Sequence, residues 1–199
     1  MAKNVDASRD RIVQAAGRLF DARGYRHVTL DDIAGQLGMS KKTIYQYFAG
    51  KEAIAEEYLQ RFMHRLTART QPLLTGDHSL DIQLEQVFSE VREELFRFNP
   101  LFLEDIQKFA PELWEKVERY WDERILLLEN LIRKGQTAGD IRDLDPRLAV
   151  LIYLSGVRAI NQPDVMGKYG VSPIDVYDTI VEVFLSGIKQ KDRSHEATS

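Results

Sequence analysis

The sequence contains no cysteine. Disulfides, cysteine-ligated zinc, iron–sulfur clusters and thiol nucleophiles are thereby excluded. Histidine is scarce: His27, His64, His78 and His195 lie far apart, none with a second histidine three or four residues away. A histidine-built metal site has no scaffold, and neither a metal nor a cofactor is expected. Long apolar runs are also missing. The longest, Leu148 to Leu154, is seven residues, against roughly 20 for a membrane-spanning helix. The first twenty residues carry Asp6, Arg9, Asp10 and Arg11 and no apolar stretch, so no signal peptide is expected and the chain reads as soluble and cytoplasmic. No Ser/His/Asp set, paired-histidine helix or phosphate-cradling glycine loop is found, so an enzyme is not expected. His64, the one histidine in a plausible helix interior, reads as a packed or surface residue.

What is present is ordinary globular composition: 199 residues, 44% hydrophobic and 29% charged. The net charge of −4 is unevenly spread. Residues 1–51 hold nine Lys/Arg against five Asp, a net +4, and the remaining 148 residues carry a net −8. A basic head on an acidic body points to an anionic partner for the head.

Apolar spacing is helical almost throughout. Ile12, Ala15, Ala16, Leu19 and Phe20 fit one amphipathic face, and Gly24 follows as a stop. Leu30, Ile33, Ala34 and Leu37 repeat the pattern, with Thr29 as N-cap and Asp32 three residues on, a capping box with Asp in place of Glu. Ser40 caps a third short helix in which Ile44 and Phe48 share a face. A fourth helix from near Lys51 keeps Ile54, Tyr58, Phe62 and Leu66 in register. Beyond a polar break at 75–79, the spacing predicts helices near 80–98, 100–109, 112–137, 146–161 and 173–190. Asn99-Pro100, Asp145-Pro146 and Ser172-Pro173 each set a capping side chain before a proline, which is tolerated at the first helical position. No strand is expected. The expected fold is all-α with about nine helices: a three-helix head over residues 1–50 and a larger helical bundle over 51–199.

The second and third helices are separated only by Gly38-Met39-Ser40, the spacing of a helix–turn–helix. Ile33, Leu37, Met39 and Ile44 supply its apolar seam, and Ala34 is small where the helices cross. The third helix sets Lys41 and Lys42 at its positive pole, where exposed basic residues cost roughly 0.3–1 kcal/mol. Lys51 repeats this on the fourth. Such placement makes sense if an anion docks there, DNA phosphate being the obvious one. On a helical projection Lys42 and Gln46 point outward, flanked by Thr43 and Tyr45, with Lys41 and Tyr47 nearer the core edge. Lysine can donate to guanine and glutamine can pair with adenine in the major groove. Ser40 and the tyrosine hydroxyls suit phosphate oxygens.

Residues 12–54 resemble the DNA-binding segment of the tetracycline-repressor (TetR) family of bacterial transcriptional regulators. The matching residues are Ala16 to Phe20, Gly24-Tyr25, Val28-Thr29, Ile33-Ala34, Leu37 to Phe48 and Lys51-Glu52. The resemblance implies that Thr29 caps the second helix beside the DNA backbone, that Ser40 to Tyr47 enter the major groove, and that Lys51 contacts phosphate. Most relatives have a small residue where this chain has Lys42, and its contact is either a base edge or a phosphate. Gln46 falls at a variable family position, so no operator sequence carries over. Activation and repression stay equally open on the fold, because operator position decides between them; the family favours a ligand-released repressor. A protein-interaction module with a purely structural helix–turn–helix is the rival reading.

In the family the larger bundle binds a small molecule and forms the dimer. The helix from Pro146 is apolar on nearly every side, with Leu148, Val150, Leu151, Ile152, Tyr153 and Leu154, and such a helix must be buried all round. Ser155, Gly156 and Ala159 permit close helix approach. The stripe Ile174, Tyr177, Ile180, Val181, Phe184 and Ile188 marks the last helix. Helices 146–161 and 173–190 are the expected homodimer interface. Phe62, Phe88, Trp114, Trp121 and Tyr153 are the candidate effector contacts, and their chemistry suits an apolar or aromatic ligand.

Overall fold

The computed structural model describes residues 2–76, 78–97, 99–160 and 168–190. Nine helices are seen among them. They are α1 (Ala2–Arg23), α2 (Leu30–Leu37), α3 (Lys41–Tyr45), α4 (Lys51–Thr75), α5 (Leu80–Leu95), α6 (Pro100–Phe109), α7 (Pro111–Ala138), α8 (Pro146–Ile160) and α9 (Pro173–Ile188). Apart from a single bridge between Ile141 and Lys189, no β pairing is seen among the described residues. Asp192 to Ser199, expected to fray, lie outside them, as do residues 161–167.

Helix ends follow the local chemistry, with one exception. Asn99 accepts the Leu101 N–H on its side-chain oxygen at 2.9 Å, and Asp145 accepts those of Arg147 and Leu148 at 2.8 and 3.2 Å. Ser172 makes no such bond, although Pro173 stands at the first turn of α9 as expected. There the proline alone starts the helix: its fixed φ is preorganised and its missing N–H is one the first turn cannot pair anyway.

The chain forms two compact units, Met1–Ala68 with Glu94–Tyr120 and Arg69–Glu93 with Trp121–Ser199. In the first, Ile12, Phe20, Ile33, Ile44, Ile54 and Phe102 are fully buried. Phe20 stacks on Phe102 with ring centroids 5.2 Å apart, and α1 packs against both α2 and α6. Gly24 ends α1 at φ +75°, and a Cβ there would meet the Asp105 carboxylate at 2.5 Å. That close approach lets Asp105, buried on α6, accept the Arg26 N–H at 2.8 Å.

The second unit is centred on Leu84, Phe88, Ile132, Val150, Tyr153 and Phe184. Helix α8 lies against α9. Gly156 serves this crossing, since a Cβ there would sit 3.2 Å from Ile180. The α8 helix is not buried all round: Leu148, Leu151 and Ile152 are 58%, 45% and 73% exposed.

Candidate DNA-reading head

The head is built from its caps outward. Thr29, with extended backbone, accepts the Asp32 N–H on its side-chain oxygen at 3.2 Å, and the Asp32 carboxylate accepts the Thr29 N–H at 2.8 Å. Both halves of the capping box are therefore made, with Asp doing what Glu usually does. Hydrogen bonding from Thr29 holds the Asp32 carboxyl below its ordinary value. Gly38 closes α2 at φ +63°, a conformation side chains disfavour, and the Met39 N–H returns to the Ala34 carbonyl at 3.0 Å. Ser40 then opens α3 by accepting the Thr43 N–H at 3.1 Å, and its hydroxyl also meets that of Thr43 at 2.9 Å.

Helix α3 is short. It ends at Tyr45, with Gln46 as a C-cap in right-handed helical conformation. Five residues make little more than one turn. The aligned dipoles behind Lys41 and Lys42 are correspondingly few, so the electrostatic conflict inferred from the sequence is weaker than a full helix would make it. Lys41 is moreover neutralised within the chain, its ammonium lying 2.7 Å from the Asp31 carboxylate. Both are well exposed, and the Asp31 hydrogen bond raises the Lys41 pKa.

The inward and outward faces fall as projected. Ile44 and Phe48 are buried. Lys41, Lys42, Tyr45 and Gln46 are exposed, Thr43 and Tyr47 are half-buried, and Thr29 and Ser40 lie at the surface. Lys51 differs. Its ammonium is half-buried, donates to the Tyr25 carbonyl at 2.9 Å and to that of Arg26 at 3.5 Å, and lies 4.2 Å from the Tyr25 ring centre. Desolvation lowers its pKa, with Asp105 opposing. This lysine anchors the α1–α2 turn, and a phosphate would have to share it with those carbonyls.

Two residues of the head had no signal in the sequence. Asp31 reads as an ordinary first-turn acid until the fold brings Lys41 to it. Arg9 lies 38 residues before Tyr47 and 48 before Glu57, yet touches both. No local spacing encodes either contact.

The candidate effector residues are divided between the units. Phe62 is buried and Trp114 half-buried in the first. In the second, Trp121 is half-buried, while Phe88 and Tyr153 are buried with ring centroids 4.9 Å apart. Phe184 completes this cluster at 5.7 and 5.3 Å from them. The Tyr177 hydroxyl donates to the Phe88 carbonyl at 3.0 Å and lies 3.2 Å from the Tyr153 hydroxyl. Its one proton is spent on the carbonyl, so Tyr153 is the donor between the two phenols. Burial pushes both phenols up in pKa. The second unit also carries an open surface groove of about 430 Å³ lined by Leu74, Leu127, Leu131, Asn130, Arg133 and Lys134, among others, and by none of the five candidates.

Residues 12–58 match the family model described as bacterial regulatory proteins, tetR family. Residues 12–58 are a TetR-family DNA-binding segment. It is similar over 94% of its length to an uncharacterized HTH-type transcriptional regulator, YvaF, of Bacillus subtilis, at 23% identity and with 98% of that protein covered. Among solved structures, it matches a putative transcriptional regulator from Saccharomonospora viridis in complex with choline. The TM-score is 0.80 at 22% identity, covering 94% of this chain and all of that one. It also matches the transcriptional regulator FadR from Bacillus subtilis in complex with stearoyl-CoA, at TM-score 0.69 and 23% identity, covering 89% and 98% of the two chains. The chain thus carries a transcriptional regulator's DNA-binding segment, and its relatives are regulators, not enzymes. Among the described residues no helix is long and apolar enough to cross a membrane.

Proposed function

We propose that this chain is a cytoplasmic, ligand-released repressor of the TetR family that binds a palindromic operator as a homodimer. Residues 1–50 bind DNA and residues 51–199 bind the effector and the second subunit. The observation that carries the reading is the polarity of α3 inside the family-matched segment. Ile44 and Phe48 are buried beneath it, while Lys42, Tyr45 and Gln46 stand clear of the protein on the other side. In this reading Lys42, Thr43 and Gln46 face the major groove, and Thr29, Ser40, Lys41, Tyr45, Tyr47 and Lys51 lie along the phosphates. Lys42 reaches either a base or a phosphate.

Two heads related by a two-fold axis require half-sites about one helical turn, or a multiple, apart. The dimer face is assigned to α8 and α9. Leu148, Leu151 and Ile152 share one side of α8, and Val183 of α9 is 66% exposed. A monomer seldom leaves aliphatic side chains of this size together in water. The effector is an apolar or aromatic molecule, and of the five candidate contacts Phe88, Trp121 and Tyr153 share the second unit while Phe62 and Trp114 belong to the first. The stearoyl-CoA and choline bound by the two structural relatives support a ligand with an acyl chain or a compact cation that suits aromatic rings. It releases DNA only to the extent that it binds the DNA-incompetent state more tightly.

Titration of a duplex at several salt concentrations tests the DNA assignment. The affinity is expected to fall log-linearly with salt, with a slope of about −0.9 for each phosphate neutralised. Absence of any salt-dependent association would leave the protein-interaction module as the better account.

A further inference from the structure

We infer that Arg9, on α1, is a positioning residue for sequence reading, because its guanidinium clamps the C-terminal end of α3. This rests on the assignment of Lys42, Thr43 and Gln46 to the major groove.

Helix α3 cannot hold its own orientation. It has five residues, and its last turn is mixed: the Gln46 N–H reaches the Thr43 carbonyl at 3.2 Å in the tighter i→i+3 manner, and the Ile44 carbonyl is shared by the N–H groups of Tyr47 at 2.9 Å and Phe48 at 3.0 Å. Helices this short are unstable alone, and external contacts decide where they point. On the inner side those contacts are Ile44 and Phe48. At the C-terminal end the contact is Arg9. Its Nη1 donates to the Tyr47 carbonyl at 3.1 Å, and the guanidinium carbon lies 4.4 Å from the centre of the Phe48 ring. Its Nε and Nη2 edge grips the Glu57 carboxylate of α4. Glu57 is held in turn by Arg61, which also reaches Asp10 at 2.6 Å. Gln46 is the residue immediately before the clamped carbonyl.

One planar group therefore meets a carboxylate with one edge, a carbonyl with its remaining nitrogen and an aromatic ring with its face. Lysine, a point charge with no planar fork, cannot do all three together. The Arg9 side chain is 44% exposed, and at such exposure the ion pair itself adds little stability. The consequence is geometric: base-edge hydrogen bonds tolerate only a few tenths of an ångström of displacement before they weaken.

The test compares Arg9→Lys with the unsubstituted full-length protein on two duplexes. One is enriched from a random-sequence pool by the unsubstituted protein, and the other is a scrambled duplex of equal length. The ratio of the two affinities is expected to fall about ten-fold, as for one lost base contact, while scrambled-duplex affinity and its salt slope stay unchanged because the charge is kept. Amide exchange at Ile44 to Phe48 is expected to quicken, with α2 unaffected. Glu57→Gln, which leaves the Tyr47 contact in place, is expected to reduce the ratio less, and it serves as the second variant if Arg9→Lys fails to fold. An unchanged ratio, or a parallel loss on both duplexes, overturns the proposal. Failure of the unsubstituted protein to discriminate between any duplexes overturns the base-reading assignment beneath it, and the proposal with it.

Discussion

Replacing Ile152 by glutamate is expected to split the dimer. Ile152 is 73% exposed in the single chain. Full burial of such a side chain contributes about 1.5–3 kcal/mol, so roughly three-quarters of that is still to be gained on association. A two-fold axis places the residue in the interface twice, giving about 2–4 kcal/mol for the pair. That corresponds to a weakening of the dimerisation Kd by roughly thirty-fold to a thousand-fold, before the cost of desolvating two carboxylates is added. Sedimentation velocity over a concentration series reads this directly. Gly156→Ala is the companion: its new methyl would meet Ile180 of the same subunit at 3.2 Å, so it should leave the dimer Kd within a few-fold. An Ile152→Glu protein that sediments like the unsubstituted one would refute the assignment of this α8 face to the second subunit.

Tyr177→Phe removes the donor to the Phe88 carbonyl and the acceptor for the Tyr153 hydroxyl. The Phe88 carbonyl keeps its bond within α5, but leaving the buried Tyr153 hydroxyl without its acceptor should cost about 1–3 kcal/mol in chemical denaturation. Thr29→Ala should cost about 1 kcal/mol through loss of the α2 N-cap. Thr29 also holds the Asp32 pKa below the ordinary 3.8, so the part of the effect that comes from its bond to the ionised carboxylate is complete above that value and is lost as pH falls through the folded-state pKa, while the cap bond itself stays. The stability gap between the two proteins should therefore narrow in acid, and a constant gap would show that the carboxylate half of the capping box is not part of the cause. Asp31→Asn frees Lys41 from its carboxylate, so duplex affinity should rise several-fold and the salt slope steepen by about one unit. In a Lys41→Ala background the gain should vanish, and a gain that persisted there would mean Asp31 acts on DNA without Lys41.

The helix–turn–helix was legible because every signal in it is local. Thr29 and Asp32, Gly38, and the Ile44/Phe48 pair act within three or four residues of one another, and the structure keeps each. The breaks at Gly24 and Gly139 fall where the periodicity stops, and both residues have positive φ. The shortness of α3 was less visible, because Phe48 continues the helical spacing through a turn that is no longer regular helix. Ser172 resembled Asn99 and Asp145 in sequence, and only the geometry of the turn decides that its hydroxyl makes no capping bond. Lys51 looked free for phosphate because nothing nearby in sequence announces that the Tyr25 and Arg26 carbonyls converge on it. Contacts such as Arg26 with Asp105, 79 residues apart, have no periodicity to read. They arise only when α6 comes to lie on the end of α1. The apolar wheel of α8 was legible as composition, but the division of its faces was not: Gly156 and Val150 turn inward while Leu148, Leu151 and Ile152 remain uncovered.

The central claim is that exposed side chains at the end of α3 read bases. Binding-site selection from a random duplex pool, run in parallel with the unsubstituted protein and with Gln46→Ala, addresses it most directly. The unsubstituted protein should enrich a two-fold symmetric sequence, and Gln46→Ala should relax preference at one symmetry-related base pair by about 1–3 kcal/mol while keeping the rest. Enrichment of the same sequence with the same stringency by both proteins, or of no sequence by either, would contradict it.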